Sequence, residues 1–335
     1  MELTTGENDA GRRLDRILRK ALQDHPLSLI HRLLRQNRVL VDGAPALPSH
    51  RVSAGSLITI KLPTNNSPLP TTAPQTPHQK LPIIWQGADL LILNKPAGLA
   101  VHGPDSLDTQ VQAYLADQLP PSLSFRPGPL HRLDKPTSGL IVFSASLAGA
   151  RYFSSLLRNH HVKKYYLALV EGHVEKSEVW QDDLIRDKNL QKTFIAAGSG
   201  NNAATEAAGS TKPKAALTSI SPLAAAGGYS LILAEIASGR THQIRAQAAS
   251  HGHPLAGDTK YGGRPLNPAG RRGSFLLHAW KLEFAELRET ATCPALPRSI
   301  IAPLPEAFQS RIESTFGSVC TIIRHDTGKA HGLFP

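Results

Sequence analysis

The sequence predicts an α+β protein built of two unequal parts, and three observations carry that prediction. Residues 1–62 combine two stretches of helical apolar spacing with two short alternating runs. Residues 63–80 hold Pro63, Pro68, Pro70, Pro74 and Pro77 among Thr, Asn and Ser with no acidic side chain, the composition of an extended, semi-rigid linker. From Leu81 onward short apolar strands and helices alternate irregularly, without the sustained strand-helix repeat of a doubly wound parallel sheet. The expected organisation is a small module at 1–62, a linker at 63–80, a large domain at 81–316 and a tail at 317–335.

In the small module Leu14, Ile17, Leu18, Ala21 and Leu22 recur at helical spacing, which leaves Arg12, Arg16, Arg19 and Lys20 largely off the apolar face. Ser28 is expected to cap a second helix that buries Ile30, Leu33 and Leu34, while Arg32, Arg35 and Arg38 line another side. Val39 and Val41 then alternate into an Asp42-Gly43 turn, and Leu57, Ile58 and Ile60 supply a further strand. In the large domain, 90–94, 139–144, 165–170 and 229–236 read as strands and 107–119 as a helix. Ser146 is placed to cap another helix through Phe153, Leu156 and Leu157. The Ala, Gly, Asn and Ser-rich stretch 196–216 reads as a loop insertion, because apolar patterning resumes on both sides.

Lys plus Arg number 37 against 26 Asp plus Glu, a net charge of +11, which points to a polyanionic partner. Arg12, Arg13, Arg16, Arg19, Lys20, Arg32, Arg35 and Arg38 face only Asp15 and Asp24 in the same stretch, and phosphate is their natural counterpart. The alternative is a solvated basic surface that serves solubility. Cys293 and Cys320 stand alone without a Cys-x-x-Cys pair, so neither a disulfide framework nor a thiolate zinc site is expected, and a reducing cytoplasm fits. The longest strongly apolar stretch, 90–93, is far shorter than the roughly 20 residues of a membrane helix. The acidic, polar start also lacks the pattern of a secretory signal.

The segment from Pro129 to Phe143 is a polar, proline-punctuated loop, His131-Arg-Leu-Asp-Lys-Pro136, running into an apolar strand, and such loops commonly carry function. Asp134 lies between Arg132 and Lys135, cations that favour its ionised form when the fold brings them close. The structural reading is an Asp that braces the turn through Thr137 and Ser138. A metal site of His102, His131, His242 and Asp134 lacks the usual ligand spacing, and a Ser138, His131, Asp134 triad would have to converge from one short stretch. No phosphate-binding glycine loop of the Gly-x-x-x-x-Gly-Lys-Ser/Thr type occurs.

Residues 11–15 and 28–43 resemble an S4 RNA-binding domain. Lys95-Pro-Ala-Gly-Leu-Ala-Val-His102, the His131 segment, Lys163-Lys-Tyr-Tyr-Leu-Ala-Leu-Val-Glu-Gly172, Gly239-Arg-Thr-His-Gln-Ile-Arg245 and His253-Pro-Leu-Ala-Gly-Asp-Thr-Lys-Tyr-Gly-Gly263 follow in order. This set is similar to the RluA family of pseudouridine synthases. The resemblance spans about 11 to 313 and implies a large domain with a mixed, largely antiparallel sheet.

What the resemblance implies is an isomerase that turns uridine in RNA into pseudouridine without cofactor or metal. It places the nucleophilic carboxylate at Asp134, attacking the base or assisting at the sugar carbon. Arg132 would enter the space left by the extruded uridine, and Tyr166 would stack on the base, the two tyrosines exchanging roles if the register shifts to Tyr165. Arg245 would pair with Asp134, with Arg240 as competitor. His131, Arg240 and His242 are expected to contact substrate. Arg12, Arg16, Arg32, Arg35 and Arg38 are expected to hold RNA, large-subunit ribosomal RNA by the look of residues 28–35, with tRNA as the alternative. A binding factor without chemistry is the rival class, and a monomer in the cytoplasm is expected. Ile244-Arg-Ala-Gln247 departs from the Ile-Arg-Val-His common in those synthases.

Overall fold

A computed structural model of the chain describes residues 1–62, 81–196, 211–266, 274–285 and 296–317. The linker at 63–80, most of the 196–216 insertion, Cys293, Cys320 and all but the first residue of the 317–335 tail therefore lie outside the described residues.

The small module is a sheet of β1 (Glu2–Thr4), β2 (Val39–Val41), β3 (Ala44–Pro45) and β4 (Leu57–Ile60), in the order β1-β4-β2-β3, with α1 (Leu14–Ala21) and α2 (Leu27–Arg35). Its core is Leu14, Ile17, Leu18, Ile30, Leu33, Leu34, Val39, Ile58 and Ile60, the two helical stripes closing over the inward strand positions. Asp42 and Gly43 both take positive φ, 50° and 82°, as a two-residue hairpin turn between β2 and β3 demands. Ser28 does not cap α2. The chain enters the helix two residues earlier, at Pro26, whose ring fixes φ at −65°, so Ser28 lies inside the helix. The three-residue β1, too short to leave a periodic signal, pairs with β4.

The module is seated on the large domain through a buried carboxylate. Asp9, in a 3-10 turn at Glu7–Asp9, is fully buried and accepts hydrogen bonds from the Leu123 amide (2.9 Å), the Ser124 amide (3.0 Å), and the Ser122 (2.8 Å) and Ser124 hydroxyls (2.6 Å). Asn8 accepts from the Leu147 amide at 2.8 Å, and Leu123 packs on the small core.

The large domain is built on one sheet of β5 (Ile83–Gln86), β6 (Leu90–Lys95), β7 (Gly128–Pro129), β8 (Ser138–Ser144), β9 (Val162–Glu171), β10 (Glu178–Asp187), β11 (Lys192–Ile195), β12 (Lys214–Ala226), β13 (Tyr229–Ile236), β14 (Leu277–Phe284) and β15 (Ser299–Ile301). Its main order is β11-β10-β12-β13-β9-β14-β8-β6-β5, with β15 on β14 and β7 on β8. Neighbours are antiparallel except β14 and β8. There Gly139 meets Ala279 so closely that a Cβ would stand 2.2 Å from the Ala279 carbonyl oxygen, and its φ is +109°. Helices α3 (Leu107–Leu115), α4 (Leu147–Arg158), α5 (Gln243–Ser250) and α6 (Glu306–Phe316) complete the domain. Ser106 and Ser146 cap α3 and α4. Alternate strand residues feed different cores: Leu93, Ile141, Tyr166, Ala168 and Ala234 pack with α3 and Ile244, whereas Ile92, Leu140 and Val142 pack with Phe153. No described helix is long and apolar enough to cross a membrane.

Candidate active site

The central strands bring three distant sequence segments to one open cleft. The loop before β8 carries Asp134, β9 carries Tyr166, and α5 with its preceding turn carries His242 and Arg245. Parallel pairing of β8 with β14, itself paired with β9, is what sets the Asp134 loop beside Tyr166.

Asp134 does brace its own turn, but through the backbone: its carbonyl accepts from the Thr137 amide at 3.0 Å, which leaves the carboxylate free to face the cleft. The loop is anchored by Lys95. That side chain is completely buried, and its ammonium donates to the carbonyls of Leu99 (2.8 Å), Pro96 (2.9 Å) and Lys135 (3.1 Å). Burial pushes the Lys95 pKa down to about 8 against the opposing charge of Asp134.

Arg245 joins two carboxylates. Its Nε and Nη2 donate to the two oxygens of Asp258 at 2.6 and 2.8 Å, and its Nη1 donates to Asp134 Oδ2 at 3.1 Å. The guanidinium lies over the rings of Phe275 (4.4 Å) and Tyr261 (4.8 Å), so it is oriented by charge and by stacking. Burial works against the charge, yet the Asp258 bonds and both carboxylates prevail and raise its pKa above the usual range. Asp258 is fully buried.

Tyr166 lines the cleft, and burial together with the Asp134 charge raises its phenol pKa, so it stands there as a neutral hydroxyl. Tyr165 points to the opposite side, toward Lys281, Glu235 and Glu283. His242, held at φ 55°, ψ 25° ahead of α5, places Nε2 3.6 Å from Asp134 Oδ2 and Nδ1 2.8 Å from the Tyr261 hydroxyl. Arg132 and Arg240 line the cleft and are exposed, Arg240 in the turn before α5 rather than on it.

His131 does not reach the cleft lining. Its Nε2 accepts from the Val142 amide at 3.1 Å, its ring stacks on Phe153, and burial with the nearby Lys164 charge pushes its pKa down to about 3. The structure thus places this imidazole, expected to contact substrate, on a strand amide apart from the residues that line the cleft. Ser138 bonds His278 at 2.8 Å, away from both His131 and Asp134. Gln247, the departure noted in the sequence, is fully buried. It accepts from Thr218 at 2.6 Å and donates to Asp182 Oδ2 at 2.7 Å and to the Trp180 carbonyl at 3.1 Å, tying α5 to β10 and β12.

Arg16, Arg32, Arg35 and Arg38 are exposed on the small module, and Arg12 is half-buried. Lys95, Asp258 and Tyr261 were assigned no role from the sequence. Each sits inside a motif, at Lys95-Pro-Ala-Gly98 and Gly257-Asp-Thr-Lys-Tyr-Gly262, and that is the only signal the sequence gives for them.

Residues 89–250 match the family described as RNA pseudouridylate synthase, and residues 12–58 match the S4 domain. The chain is 32% identical over 317 residues to the ribosomal large subunit pseudouridine synthase C of Vibrio vulnificus, covering 92% of this chain and 94% of that protein. It is 33% identical over 290 residues to the ribosomal large subunit pseudouridine synthase D of Nitrosomonas europaea, covering 84% of this chain and 80% of that one. Among solved structures, human RNA pseudouridylate synthase domain containing 1 superposes with a TM-score of 0.51 at 24% identity, over 70% of this chain and 87% of that one, a likeness of fold.

Proposed function

The chain belongs to the RNA pseudouridylate synthase family, and from that premise we propose that it isomerises uridine in large-subunit ribosomal RNA with Asp134 as the nucleophile. The observation that carries this reading is one carboxylate facing an open cleft, gripped by a guanidinium that is itself clamped from behind by Asp258. In the reaction the bond from C1′ to N1 breaks, the uracil turns, and a bond from C1′ to C5 forms. The proton lost from C5 is balanced by the one gained at N1, so nothing is oxidised or consumed.

Asp134 supplies the electron pair, to the base or to the sugar carbon. Arg245 keeps it ionised and oriented. Tyr166 offers an aromatic face for the flipped base, and its neutral hydroxyl is positioned to relay a proton. Arg132 and Arg240, at the exposed rim, contact the RNA strand from which the base has left. The arginines of α1 and α2 hold phosphate at a distance from the chemistry. In this reading the protein acts as a monomer in the cytoplasm.

The test is to map pseudouridine in ribosomal RNA from a strain lacking this protein and from one carrying Asp134→Asn. Loss of the same large-subunit position in both is expected. An unchanged map in the deletion strain overturns the substrate, and retained modification with Asp134→Asn overturns the nucleophile.

A further inference from the structure

We propose that Tyr261 fixes the tautomer of His242, so that a neutral imidazole presents Nε2–H to Oδ2 of Asp134 as a second donor beside Arg245. The inference rests on the reading of Asp134 as the nucleophile, and it assigns His242 and Tyr261 as positioning residues.

The argument begins at Thr193. Its amide donates to the Tyr261 hydroxyl oxygen at 2.8 Å, and two acceptors lie in reach of the phenolic proton, the Thr193 hydroxyl oxygen, whose own proton goes to the Thr241 carbonyl, and His242 Nδ1 at 2.8 Å. Arg186 Nη1 approaches the same nitrogen at 3.4 Å, and a guanidinium has no acceptor to offer. A nitrogen that accepts from Arg186 carries the lone pair, and at 2.8 Å the Tyr261 hydroxyl can then meet it only as a donor. The ring proton is left on Nε2, the nitrogen that faces Asp134.

The imidazole also stays uncharged. Burial opposes its protonation first. Asp134 pulls the other way, but Arg245 on α5, Arg186 on β10 and Lys260 in the 3-10 turn Thr259–Tyr261 all repel a second charge, and the pKa falls to about 4. At 3.6 Å the approach of Nε2 to Oδ2 is longer than a formed hydrogen bond, a separation typical of catalytic contacts before substrate closes the site. The left-handed backbone at His242 is uncommon for a side chain of this size. It persists where surroundings over-determine it, as the bonds at Nδ1 do here. The arrangement has a directional result: Arg245 and His242 both address Oδ2, and among the described residues no donor is recorded on Oδ1, which is left to react.

The experiment is long-range proton-nitrogen NMR on the full chain labelled with 15N-histidine, the His242 signals identified by their absence in His242→Gln. The expected result is a single neutral tautomer protonated at Nε2, unchanged from pH 8 down to about 5. A ring protonated at Nδ1, or charged at pH 7, overturns the inference even if the enzyme turns over normally. Because this readout needs no activity, it is separate from the fate of the proposed substrate.

In Tyr261→Phe the ring should show both tautomers or a raised pKa. Single-turnover rate should fall about tenfold with RNA affinity unchanged, the scale of one hydrogen bond to a charged group. His242→Gln, which keeps an N–H near the Nε2 position, should recover to within about fivefold of wild type, whereas His242→Leu loses about a hundredfold. Equal losses in Gln and Leu overturn the donor role.

Discussion

Asp258 grips Arg245 with both oxygens, at 2.6 and 2.8 Å, and so leaves one nitrogen of the guanidinium, Nη1, to reach Asp134. The carboxylate that faces the cleft is thus set by a second, fully buried carboxylate that does not line it.

Asp258→Ala should therefore cost both stability and turnover. Removing one partner of a buried ion pair leaves a buried charge unmatched, a loss of about 3 kcal/mol or more. Urea denaturation checks the stability, and single-turnover kinetics should show a fall of about a hundredfold with RNA affinity kept. Full stability and rate in this variant would mean that Asp134 alone fixes the arginine.

Lys95 predicts an alkaline gain in stability. Its folded pKa, about 8, lies below the ordinary 10.5, so the folded state binds fewer protons than the unfolded chain between those values. Its contribution is fully present above pH 10.5 and is lost as pH falls through 8. The span corresponds to about 3 kcal/mol at most. Urea midpoints for wild type and Lys95→Met across pH 7 to 10.5 should diverge by part of that amount, and parallel curves would remove Lys95 as the source.

Arg32 and Arg35 are exposed on α2 and face no described carboxylate in an ion pair. Replacing both with Ala should weaken RNA binding and flatten its dependence on salt by about 1.5 in the logarithmic slope, two phosphate contacts' worth. An unaltered slope would place the RNA on another face. The single-turnover rate at saturating RNA should stay as in wild type.

Asp9→Ala removes the acceptor for five donors, the Gly6, Leu123 and Ser124 amides and the Ser122 and Ser124 hydroxyls. Leaving buried donors unsatisfied should cost about 3 kcal/mol. Small-angle scattering should show an enlarged radius of gyration as the module leaves its seat. Burial raises the Asp9 pKa, but the hydrogen bonds from Ser124, Leu123, Gly6 and Ser122 prevail and lower it overall. Its contribution is thus present above the ordinary carboxylate range and lost as pH falls below it, so acid should loosen wild type toward the variant.

Much of the fold was legible because local pattern and tertiary environment agree. The apolar stripe of α1, the Asp42-Gly43 turn and the Ser146 cap are decided within a few residues. Helix α3 stops at Leu115, short of the expected 119, and β9 begins at Val162, since ends depend on what packs beyond them. In the site, Asp134 and Arg245 were marked by their motifs, but their supports were not. Lys95 acts on Lys135, 40 positions away, and Thr193 acts on Tyr261 across 68. No periodicity encodes such distances. His131 illustrates the converse: its place in a motif suggested the cleft, and its neighbour Val142 across the β8 edge turned it inward.

The Asp9 seat also bears on avidity. Two RNA-binding surfaces joined by a flexible tether meet their ligand at an effective concentration that the tether's length dilutes. A module already docked spends no further chain entropy when the second surface engages, so each phosphate gripped by α2 should raise occupancy of the cleft in full, and only for RNA whose folded shape spans both.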